Sequence, residues 1–127
     1  MAHGPVPSRL TLLASLPSFD WGTKVRFLGC VTSYSAAAGR LVLEHDCPKS
    51  CQVKAWVDVR LLLEKLTFEH TAVGQWVNVI GYITLKPQAS RKHAQDGLDR
   101  STVDVQALML WSAGPLDIER YETCLSR

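Results

Sequence analysis

Three observations predict an all-β domain, a small five-stranded Greek-key barrel with a short helix between its third and fourth strands and a second helix at its end. Short runs rich in β-branched and aromatic residues are separated by turn residues. One of them, QVKAWVDV (52–59), alternates Val53, Ala55, Val57 and Val59 with Lys54, Trp56 and Asp58, which gives one buried face and one exposed face. Two glycines, Gly29 and Gly81, stand inside strand-like runs, where a coiled barrel strand must bend or bulge.

The elements follow in order. Residues 1–7, with two prolines and a glycine, read as a loose arm before a folded domain over 8–127. The leucines of RLTLLASL (9–16), ended by Pro17, fit a short strand or a helical turn equally well. KVRFLGCVTSY (24–34) is the first barrel strand, and the turn SAAAG (35–39) leads into the second, RLVLE (40–44). The loop HDCPKSC (45–51) precedes the third strand at 52–59. RLLLEKL (60–66) is a short helix, residues 75–85 are the fourth strand, and VDVQALMLW (103–111) is the fifth. The polar loop 86–102 carries Lys86, Arg91, Lys92 and Arg100, and a helix follows Pro115 to the last residue. Five strands with a helix between the third and fourth is the layout of an OB-fold. A generic antiparallel sheet packed on a helix is the alternative.

The composition is that of a globular domain, with 46% hydrophobic and 20% charged residues and a net charge of +2. So small a net charge leaves nucleic-acid binding to be decided by where the charges sit. No apolar run is long enough to span a membrane as a helix. The first residues lack the pattern of a secretory signal, and four irregularly spaced cysteines do not make a disulfide scaffold, so a reducing compartment, cytosol or nucleus, is expected.

GPVPSRLTLLASLPS and GTKVRFLGCVTSY, followed by LVLEH, VKAWVDVRLLLEKL and VGQWVNVIGYI, resemble the smallest-subunit family (Ten-one, fungal type) of the telomere-capping CST complex. The resemblance is close over residues 4–85 and holds in outline beyond them, and the basic loop 86–102 matches nothing residue by residue. It implies a nuclear protein at chromosome ends. In that family a single OB-fold pairs with the N-terminal OB-fold of the middle subunit, and through it joins the large subunit. The assembly engages single-stranded telomeric DNA, and the pair is similar to the two smaller subunits of replication protein A.

For DNA, OB-folds use the face of strands two and three and the bordering loops, with cations for phosphates and aromatic rings for stacking. Lys54 and Trp56 share the face opposite the valines, and Arg40, Lys86, Arg91, Lys92 and Arg100 flank it. Trp56 packed under a loop or at a protein interface, beside charges that are merely solvated, is the competing account.

For a partner, LDIERYETCLSR (116–127) places Ile118, Tyr121 and Leu125 at i, i+3 and i+7, with Leu116 and Cys124 on the flanks. From the residues alone such a stripe packs by default on its own core; the resemblance favours a second subunit. On the fifth strand the alternation puts Val103, Val105, Ala107, Met109 and Trp111 on one face and Leu108 and Leu110 on the other. The fourth sets Trp76, Ile80 and Tyr82 against Val77, Val79 and Ile83. Apolar residues on both faces call for a second covering layer.

His45, Cys47 and Cys51 lie within seven residues, but H-x-C-x3-C without a second pair does not supply the four ligands of structural zinc. No cofactor is expected. No nucleophile elbow, phosphate-binding loop or metalloprotease helix occurs, so catalysis is not expected either. The resulting reading is a telomere-capping accessory subunit that pairs with an OB-fold partner and helps hold single-stranded DNA; a protein–protein scaffold without DNA contact is the alternative.

Overall fold

The computed structural model describes residues 7–45, 53–84, 102–114 and 117–125. A two-residue strand β1 (Arg9–Leu10) is followed by β2 (Lys24–Ser35), β3 (Arg40–Glu44), β4 (Lys54–Asp58), β5 (Trp76–Ile83) and β6 (Thr102–Ser112). The sheet order is β1-β2-β3-β4-β6-β5, and β2 also pairs with β5, which closes strands β2 to β6 into a barrel. β4 and β6 run parallel; the other barrel pairings are antiparallel. This is the expected five-stranded OB barrel.

Both readings of residues 9–16 are realised in part. Arg9 and Leu10 add to β2 in parallel at Val25 and Arg26, beyond the stretch of β2 that pairs with β3. A 3-10 helix, Leu13–Ser18, then stacks Leu13 and Leu16 three residues apart, so both point the same way into the barrel, where neither is exposed. They plug a core built from inward residues such as Phe27, Val31, Leu41, Val57, Val79 and Val105. Each large side chain fully buried there contributes about 1.5–3 kcal/mol.

The segment after β4 forms a 3-10 helix, Arg60–Lys65, and then a single α-helical turn, α1 (Phe68–Thr71). The Thr67 N–H donates to His70 Nδ1 at 3.0 Å, which satisfies a donor left open at the start of α1. The last helix is α2 (Ile118–Leu125).

Gly81 faces the barrel interior at the step where the β5–β6 register shifts, and a side chain there would collide with the Gln106 carbonyl of the neighbouring strand. Gly29 does the same for the approach of β3, because an added Cβ would lie 2.8 Å from that of Leu43. Both glycines are therefore points of close strand approach in coiled strands.

The same register shift corrects the face assignment on β6. Ile80 pairs with Met109 and Gly81 with Ala107, so Leu108 is an extra residue in a bulge. Beyond it the alternation reverses. Leu110 lies across from buried Val79 and packs on the core, while Met109 is 56% exposed and Trp111 pairs with outward Asn78. Met109 and Trp111 thus join the outer surface, and Leu110 leaves it.

Candidate nucleic-acid and partner interfaces

Strand pairing assembles the first surface. Across β3 and β4, Arg40 is opposite Asp58, Val42 opposite Trp56, and Glu44 opposite Lys54. The parallel β4–β6 ladder sets Trp56 beside Asp104 and Lys54 beside Thr102. All of these side chains lie on the outer wall, since their strand neighbours Leu41, Leu43, Ala55, Val57, Val103 and Val105 fill the core. The Arg40 guanidinium carbon stands 4.6 Å from the centre of the Trp56 ring, a cation–π contact that fixes both groups.

Around this pair is an open hollow of about 260 Å3, lined by Gly39, Arg40, Trp56, Arg60, Thr84 and Asp104, among others. It lies between the turn before β3 and the end of β5, where OB-folds bind oligonucleotides. Asp58 accepts from Arg60 at 2.7 Å, and that hydrogen bond holds its carboxyl below the usual carboxylate range. Asp104 is the reverse case. Burial pushes its carboxyl up, with Arg40 opposing, and among the described residues its buried Oδ1 has no hydrogen-bond partner. Lys54 Nζ lies 3.8 Å from Glu44, a half-exposed pair that leaves the ammonium able to exchange partners.

Of the residues expected at nucleic acid, Arg40, Lys54 and Trp56 therefore share one face. Lys86, Arg91, Lys92 and Arg100 lie outside the described residues. Asp104 was not singled out from sequence because it reads as the polar step of an alternating strand. Only the non-local β4–β6 pairing brings it beside Trp56.

The second surface is the outer wall of β2, β5 and β6 together with α2. Leu28 points outward between Arg26 and Cys30 yet has no exposure. Helix α2 crosses here: Tyr121 buries its hydroxyl beside the Leu28 backbone without a full hydrogen bond, and burial pushes that phenol up. His45, 3% exposed at the end of β3, is bonded through Nε2 to Glu122 at 2.7 Å and meets Trp76 edge-on at 5.1 Å. The first of the tempting metal ligands is thus a seat for the helix, while Cys47 and Cys51 lie outside the described residues.

The helix is only half packed. Ile118, Tyr121 and Leu125 are half-buried and Cys124 is exposed; Leu116 lies outside the described residues. Beside it Arg26 stacks over Trp111 at 5.3 Å, next to exposed Met109, and Leu108 and Leu110 line an apolar hollow with Leu62 and Leu66. Half-packed apolar side chains therefore stand on both the helix and β6.

Comparison with known proteins follows this geometry. A family model described as a telomere-capping CST complex subunit (Ten1) matches residues 1–126. No curated protein matches the chain. Among solved structures, a chain of the S. pombe Stn1–Ten1 complex is 24% identical, with 97% of this chain and 92% of that one covered at a TM-score of 0.69. The telomere capping protein Ten1 from Saccharomyces pombe is 23% identical over 94% of this chain and 95% of its own, at 0.66. U. maydis replication protein A bound to ssDNA is similar in fold, 15% identical over 94% of this chain and 87% of its own, at 0.59. A barrel of this topology matched by the family model over nearly its whole length belongs to the Ten1 family of telomere-capping CST complex subunits.

Proposed function

We propose that this chain protects chromosome ends in the nucleus. It pairs with the N-terminal OB-fold of the middle CST subunit and lends the β3–β4–β6 face to single-stranded telomeric DNA. The observation that carries the DNA part is the Arg40–Trp56 pair beside a hollow on the OB ligand face. A ring and a cation fixed together suit stacking on a base and contact with its phosphate, without readout of sequence. Family membership supports the capping role, and a relative solved with Stn1 supports the pairing. The half-packed stripe Ile118, Tyr121 and Leu125, together with exposed Met109 on β6, supports a protein partner.

The test is coexpression with the middle subunit, followed by titration of oligothymidine against salt. Trp56→Ala is expected to cost about 1–3 kcal/mol of single-strand affinity. Lys54→Ala is expected to lower the salt slope by about one. Unchanged affinity and slope in both variants would overturn DNA contact through this face.

One observation favours the scaffold reading: Lys54 is near Glu44, and Asp58 and Asp104 add negative charge to the same wall. A scaffold's complex would bind single strands equally well after charge reversal at Lys54, Arg91 and Lys92.

A further inference from the structure

Helix α2 has eight residues, none of them fully buried, and a helix this short keeps its place only through what it touches. Its half-buried residues are Ile118, Tyr121, Glu122 and Leu125. Three of these are apolar, and apolar contact is non-directional, so it tolerates more than one arrangement. The fourth is a carboxylate. Glu122 Oε2 lies 2.7 Å from Nε2 of His45, the residue that follows β3. That imidazole is 3% exposed; it meets Trp76, the first residue of β5, edge-on at 5.1 Å and lies 6.3 Å from the ring of Tyr121. One hydrogen bond thus ties a single face of the helix to the place where two strands come together.

Stability alone does not account for this pair. A buried polar pair gains little over apolar side chains of similar volume, and the large cost comes from removing only one member. His45 is less well satisfied still, because its buried Nδ1 has no hydrogen-bond partner among the described residues. Two apolar side chains in the same space would seat the helix at least as firmly. What they would lack is direction, since a hydrogen bond is made at one rotation and one height of the helix. A slide of one turn that brought Leu125 to the place of Glu122 would keep an apolar contact and lose the bond.

We infer that the His45–Glu122 bond is a positioning latch. It fixes the rotation and height of α2 on the barrel, and with them the part of the Ile118, Tyr121 and Leu125 stripe that is offered to the partner subunit. The inference rests on the proposed pairing through α2 and adds the two residues that set its geometry. Buried polar groups have this use in other helical interfaces, where one of them specifies register at a cost in stability.

The test separates stability from presentation. The full chain, alone and coexpressed with the middle subunit, is prepared unaltered, as His45→Leu/Glu122→Leu, as Glu122→Gln and as Tyr121→Ala. Thermal unfolding of the chain and dissociation of the complex are measured. The double variant is expected to melt at the same temperature or higher. Its complex should dissociate on the order of tenfold faster, because changes at one interface act mainly on that rate. Glu122→Gln keeps an oxygen that accepts from Nε2–H and should dissociate as the unaltered complex does. A merely structural pair would move melting and dissociation together. Loss of folding in the double variant, or a fall in melting temperature alongside faster dissociation, overturns the latch, and so does an unchanged dissociation rate. Tyr121→Ala tells the two readings apart. If it dissociates faster while the double variant does not, only the latch falls; if neither dissociates faster, pairing through α2 falls with it.

Discussion

Gly81 fills a position that only the absence of a side chain permits. Its inward face meets the Gln106 carbonyl, so Gly81→Ala must push β5 and β6 apart at the bulge. A loss of about 1–3 kcal/mol in denaturant unfolding is expected, the usual cost of an overpacked core. Asp104 is a different case, a residue whose charge costs stability. An acid whose folded pKa lies above its unfolded one favours folding only while protonated, so its unfavourable contribution grows as pH rises from the ordinary carboxylate range through the raised value. Asp104→Asn cannot ionise. It is expected to raise the melting temperature at neutral pH, and the gain should vanish in acid. Asp58 runs the opposite way: its depressed pKa contributes stability above the carboxylate range that is lost on acidification.

Helix α2 is the element with two possible loyalties. Its stripe was legible at i, i+3 and i+7; its seat was not, because His45, Leu28 and Trp76 come from three distant strands. Tyr121 anchors the helix through its ring, while its hydroxyl is buried beside the Leu28 backbone without a full hydrogen bond. Tyr121→Phe is therefore expected to leave stability unchanged or improve it by up to about 1 kcal/mol in thermal unfolding. Tyr121→Ala should leave a folded barrel and weaken copurification with the middle subunit; loss of the folded barrel itself would make the helix part of this chain's own core. β6 shows the limit of pattern reading in another way. Alternation held through Ala107, and the extra residue Leu108 then exchanged the places of Met109 and Leu110. A bulge depends on what the partner strand offers, here Gly81, and a period-two pattern carries no mark of it.

At the scale of the molecule, the barrel was legible because its strands are short, alternating and punctuated by turns. Strands β2 to β5 fall within two residues of the boundaries the pattern implies, and β6 does too. The outer wall of β3, β4 and β6 was legible only in part. Arg40, Lys54 and Trp56 belong to one hairpin of neighbouring strands, so local pattern brings them together. Asp104 joins them through a parallel pairing across more than forty residues, for which the sequence holds no local signal. The seat of α2 also fixes an order in time. It is built from the end of β3, the middle of β2 and the start of β5, so it does not exist until β2 and β5 have met. The last helix can dock only once β2, β3 and β5 are assembled, in a fold whose distant pairings make closure slow. On its own the chain should then show α2 amides exchanging with solvent well before those of β2 and β5, and addition of the partner should slow α2 selectively. The chain thus completes itself last at its half-packed helix, and a half-assembled barrel has no seat to offer it.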